Sequence, residues 1–147
     1  MDIVNMLRKI WLNSPPLAAT GLLMFAAFLF SVLGIFLDPR TITGVPAWLK
    51  PAKFGISTAI YAATLAWLFG YITVWPRFKN AMGVVIAAVL IVEVAIIDTQ
   101  AARGTTSHFN VSTPLDAALF AIMAGAILIL WLANIGLLAA LFRQRFA

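Results

Sequence analysis

At 147 residues, 63% hydrophobic and only 10% charged, the chain lies far from the soluble average of about 45–50% apolar and about 25% charged residues. Its net charge of +5 comes from basic residues at the ends of apolar runs, where membrane topology explains them, so nucleic acid is not expected as a partner. The absence of cysteine excludes disulfides, thiolate chemistry and cysteine-ligated metal.

These numbers predict an all-α integral membrane protein: a single four-helix bundle in the lipid bilayer, with spans at about 17–37, 54–75, 81–100 and 114–142. The N-terminal segment mixes apolar residues with Arg8 and Lys9 and ends in Ser14-Pro15-Pro16, a helix-start signal. It is suited to lie along the interface with Trp11 as an anchor. The run from Leu17 to Leu37 carries no charge and is long enough to span as an uncleaved first helix. From Asp38 to Lys53 the punctuation by Pro39, Gly44, Pro46 and Pro51 predicts a loop that delivers Trp48, Lys50 and Lys53 to the start of the second span. A short turn from Trp75 to Asn80 makes the second and third helices antiparallel neighbours. Thr113-Pro114-Leu115-Asp116 opens the fourth helix, with threonine as N-cap, proline first and an acidic residue third.

Orientation follows from the basic residues. Arg8, Lys9, Arg77, Lys79, Arg143 and Arg145 fall on the side of the termini, against Arg40, Lys50, Lys53 and Arg103 on the other. The positive-inside rule therefore predicts that both termini are cytoplasmic and the two polar loops face outward. Small residues recur every four positions, at Gly55, Ala59 and Ala63, at Gly83 and Ala87, and at Ala117, Ala121 and Gly125. Such rows permit close helix contact within the bundle or between protomers.

Polar groups concentrate between Glu93 and Asp116, which hold three of the five acidic residues and the sole histidine. Glu93 and Gln100 share a helix face, and Arg103 follows obliquely. Glu93 lies roughly 7 Å deeper than Asp98, where a carboxyl group must pair with a cation or take up a proton. One reading gathers Glu93, Gln100, Arg103, His108 and Asn110, with Lys50 and Lys53, into a single ligand-binding pocket on the outer side. The other makes Glu93–Lys53 and Asp98–Arg103 structural ion pairs, and Asp116 a cap residue. Arg103-Gly104-Thr105-Thr106-Ser107 fits an anion-cradling turn and equally a helix end with a left-handed glycine. A sole histidine cannot supply both axial ligands of a haem, so haem or metal would require ligands from a second chain or from methionine. Asn134 is placed to hydrogen-bond between helices.

The segments AWLKPAKFGIS and QAARGTTSHFNVSTPLDAALF resemble a family of small bacterial integral membrane proteins with an RGTxSHFN-type outer loop and no established function. The resemblance implies four helices and a multi-pass place in the bacterial inner membrane. The tryptophan-rich sensory proteins, similar in size and aromatic content, have five spans where this chain supplies four. The expected function is binding, sensing or transport of a small anionic or amphipathic ligand by the outer pocket. The alternative is an accessory or assembly subunit of a larger membrane complex, or a homo-oligomer. An enzyme ranks third, because no nucleophile or metal signature identifies a reaction and no catalytic residue is assigned.

Overall fold

The computed structural model describes residues 2–145, and four of its helices are long and apolar enough to cross a membrane. Helix α1 (Ile3–Asn13) precedes the long α2 (Pro15–Leu37). A two-stranded hairpin, β1 (Thr41–Ile42) and β2 (Val45–Pro46), leads into α3 (Leu49–Leu68), which tightens into a 3₁₀ turn at Phe69–Tyr71. Helices α4 (Pro76–Ala102) and α5 (Pro114–Arg145) complete the chain. Three of the four long helices begin on proline, whose fixed φ suits the first turn and whose missing amide would have had no intrahelical partner there.

Element boundaries differ from the expected ones for local reasons. The second span begins at Leu49 rather than Phe54, since Pro51 sits in the first turn, where proline is tolerated. The third begins at Pro76 rather than Ala81 because Trp75 takes a left-handed conformation (φ 49°) and turns the chain directly into the helix. The expected loop after Asp38 contains a hairpin instead of irregular chain alone. Thr43 and Gly44 both have positive φ (52° and 82°), as a two-residue turn of the type that matches strand twist requires.

The tightest packing joins α2 to α3. A Cβ on Gly55 would stand 2.9 Å from the backbone nitrogen of Phe28, and one on Gly21 would stand 3.5 Å from the Ala59 carbonyl oxygen. The row at Gly55 and Ala59 therefore serves contact inside the bundle, the use of small residues that close approach in lipid demands. Gly83 is likewise filled in by Phe69 and Ser14. On α5, by contrast, nothing lies within 4 Å of a Cβ placed on Gly125.

The main apolar core lies toward the end that carries both termini, where Leu17, Ala62, Phe69, Ile86, Leu90 and Leu137 pack together. Backbone groups freed there are recovered by side chains. Lys79 Nζ donates to the carbonyls of Phe69 and Ile72 at 3.2 Å each, and Gln144 accepts from the Thr73 amide at 2.8 Å while donating to the Tyr71 carbonyl at 2.9 Å. The side chain of Arg145, counted above with the basic residues, lies outside the described part. The opposite end has less apolar packing and is fastened by polar side chains. There Arg40 grips Asp38 and donates to the Ala102 carbonyl at 3.0 Å, tying the hairpin to the end of α4. Asp38 also accepts from Trp48 Nε1 at 2.8 Å, and these donors hold its carboxyl well below the usual carboxylate range.

Candidate functional site

The polar residues of the loop end fall into three places. The first is a junction between the end of α4 and the start of α5. Gln100, fully buried, donates through Nε2 to Asp116 Oδ1 at 2.9 Å. Arg103 Nη1 reaches the same oxygen at 2.6 Å and donates to Gln100 Oε1 as well. Asp116 Oδ2 accepts from the Thr113 hydroxyl at 2.6 Å, and the Asp116 amide donates back to Thr113 Oγ1 at 3.1 Å. This reciprocal cap makes Asp116 the hub of the junction, a role beyond the capping expected of it. Arg103 pairs with Asp116 and not with Asp98, whose Oδ1 is buried without a hydrogen-bond partner.

The turn after α4 decides between the two readings of Arg103-Gly104. Gly104 has φ +74°, its amide donates to the Ala101 carbonyl at 2.9 Å, and the Thr105 amide donates to the Gln100 carbonyl at 3.0 Å. This paired pattern closes a helix end. The two amides are consumed and Arg103 is engaged, so this turn is a helix terminus and not an anion cradle.

The second place is a pocket of about 190 Å³ between the hairpin, the first turn of α3 and the 105–108 segment. Asn110 shapes that segment: its Nδ2 donates to Thr105 Oγ1 and to the Thr106 carbonyl at 2.9 Å each, and its Oδ1 accepts from the Ser112 amide at 3.1 Å. The loop so held presents His108, whose Nδ1 lies 3.0 Å from Lys50 Nζ and 3.0 Å from Ser107 Oγ. An ammonium can only donate, so Nδ1 is the unprotonated nitrogen and Nε2 carries the hydrogen. Burial, and then the charge of Lys50, hold the imidazole pKa below its ordinary value. Lys50 Nζ also stands 5.8 Å from the centre of the Phe54 ring, within cation–π range. Among the described residues Lys50 has no carboxylate partner, and His108 is the acceptor its ammonium has. Helix α3 opens without a side-chain cap, which adds the positive end of a helix dipole beside that ammonium.

The third place is a cleft between α3 and α5 at membrane depth, floored by Glu93 of α4. Glu93 is 5% exposed, its Oε1 has no hydrogen-bond partner, and it forms no ion pair among the described residues. Lys53, the cation expected to reach it, is exposed and makes no such pair either. Of the seven residues singled out in the sequence, the structure thus joins Lys50 to His108 and Gln100 to Arg103. Asn110 acts as the brace of the His108 loop, and Glu93 stands apart from all of them. Missing from the seven were Asp116, and Ser107, Thr105 and Thr106 as pocket walls. The hydroxyl run was visible in the sequence, but that it shares a pocket with Lys50 was not. Among the described residues no three His, Cys, Asp or Glu side chains gather to hold a metal ion.

No protein-family model, curated protein or solved structure matches this chain.

Proposed function

We propose that this chain is a bacterial inner-membrane protein, both termini cytoplasmic, whose outer end binds a small amphipathic anion, a short aliphatic carboxylate, in the Lys50–His108 pocket. The observation that carries this reading is the Lys50 ammonium: half-buried, with a neutral imidazole and, among the described residues, no carboxylate beside it, it retains donors without an acceptor there. A partly buried cation favours an anionic partner, because desolvation and charge are then offset together. One cation suits one negative charge. The hydroxyls of Thr105 and Thr106 offer donors to a carboxylate, that of Ser107 being spent on His108 Nδ1, and Pro46, Val45 and Ile97 line the rest of the pocket with apolar surface for a short alkyl chain.

The orientation draws support from the distribution of basic residues between the two ends. Of the four outer cations Arg40 and Arg103 are held in ion pairs within the protein, and the basic residues number six at the termini end against four at the loop end. The test is thermal unfolding of the purified protein against a series of sodium salts. Butyrate raises the midpoint, by the mass action of a ligand that binds the folded state, and chloride at equal ionic strength does not. Equal midpoints in both salts would count against the reading.

The second reading, an accessory subunit in a larger membrane complex, draws on α5, where Ala121 and Gly125 lie exposed on a face with nothing against Gly125. Stoichiometric co-purification of another membrane protein, lost on Gly125→Leu, is the result that would favour it.

A further inference from the structure

The cleft between α3 and α5 is distinct from the outer pocket and answers to different chemistry. Helix α5 is held to the bundle at two levels: Met123 packs on Ile96 and Ile97 toward the loop end, and Ala133 and Leu137 join the main core toward the termini end. Between them it stands off α3, leaving a space of about 530 Å³ that reaches down to Glu93. Glu93 is nine residues before the end of α4, roughly 14 Å below it at about 1.5 Å per residue, so the cleft opens into the hydrocarbon layer and not into water.

Several of its polar side chains are hydrogen-bonded, whereas the buried Glu93 has an oxygen that is not. Tyr61 donates its hydroxyl to Asn134 Oδ1 at 2.9 Å, Asn134 Nδ2 donates to the Leu130 carbonyl at 2.7 Å, and Ser57 donates to the Phe54 carbonyl at 3.2 Å. Glu93, nineteen-twentieths buried and lining the cleft, brings a buried carboxyl oxygen with no partner. The walls add aromatic rings: Phe54 and Tyr61 from α3 and Trp131 from α5. A buried carboxylate without a cation is costly in lipid, and aromatic faces attract cations. Walls that are mostly apolar, with the Tyr61 hydroxyl and the Asn134 amide engaged with one another, disfavour a small hydrated ion, which would lose its water for too few replacement ligands.

We infer that this cleft binds a lipophilic cation, an organic ammonium or phosphonium entering from the bilayer, with Glu93 as its counter-ion. The charge of the occupant follows from the buried, unpaired carboxyl group of the cleft, and its hydrophobicity from the route of entry and the walls. This site stands or falls independently of the carboxylate pocket, since neither Lys50 nor His108 lines it.

The experiment is equilibrium binding of radiolabelled tetraphenylphosphonium to the full chain in lipid nanodiscs. Saturable one-site binding is expected, displaced by methyltriphenylphosphonium and not by uncharged triphenylphosphine oxide. Glu93→Gln is expected to weaken it at least about tenfold. Ile127→Trp, which fills the cleft from an exposed position on α5, tests the same location without touching the buried carboxyl and is also expected to abolish binding. The inference is overturned if wild-type protein shows no saturable binding, if folded Glu93→Gln keeps wild-type affinity, or if the uncharged oxide competes as well as the cation.

Discussion

Lys50 Nζ and His108 Nδ1 lie 3.0 Å apart, although 58 residues and two membrane spans separate them in the chain. The pair places a cation against a neutral base and leaves the charge of the cation uncompensated. Such an arrangement couples ligand binding to protonation. The imidazole is held below the usual histidine value of about 6.5 by burial and by Lys50. A bound carboxylate offsets the Lys50 charge and so raises the imidazole pKa relative to the free protein. Binding then takes up a proton in the range below that usual value, and butyrate affinity rises as pH falls through it. Calorimetric titration at about pH 7.5 and about pH 5.5, either side of the usual value, checks the sign, and His108→Gln is expected to flatten the dependence.

Asp116 is expected to matter for stability far more than a cap residue alone. Asp116→Ala removes the acceptor of Gln100 and Arg103 together with the Thr113 cap partner. Because the Arg103 side chain is 35% exposed, its share is discounted, and the total loss is about 2–4 kcal/mol. Asp116→Asn keeps an acceptor for Gln100 and is expected to lose less. Unfolding in mixed micelles of increasing denaturing detergent gives both values, and an Asp116→Ala protein as stable as wild type would remove the junction from the account.

Gly55→Ala tests the α2–α3 contact. The added methyl would meet the Phe28 backbone nitrogen at 2.9 Å and its Cα at 3.0 Å, neither of which is a flexible side-chain end. A loss of about 1–3 kcal/mol is expected from overpacking. Gly125→Ala, where the space is open, is expected to be neutral or slightly stabilising through helix propensity, and the difference between the two in the same unfolding assay isolates the packing effect.

Much of the architecture was legible because membrane spans and caps are local signals. Thr113-Pro114-Leu115-Asp116 announced the start of α5, and the apolar runs announced the four long helices. The α3 and α4 boundaries were misjudged where proline stood in a first turn, since Pro51 and Pro76 read as breaks and act as starts. Side-chain partners were less legible because they are settled by how helix ends meet. Arg103 had Asp98 five residues away on its own helix and Asp116 across the loop, and only the placement of α5 beside α4 selects the second. Gly104 suited two motifs with the same residues, and the partners of two amides chose between them. Glu93 was expected in the outer pocket or paired with Lys53, and it lines a separate cleft with neither. That Lys53 is exposed and unpaired with Glu93 depends on the rotation of α3, which a nearly uniform apolar sequence does not encode.

The measurement that tests the central claim most directly is calorimetric titration of wild-type protein and Lys50→Gln with butyrate at neutral pH. The account predicts saturable binding at one site per chain in wild type, weakened by about tenfold or more, about 1.4 kcal/mol, in Lys50→Gln with its thermal midpoint preserved. Wild-type protein that gives no saturable heat with butyrate, or a Lys50→Gln variant that binds it as tightly, would contradict the claim.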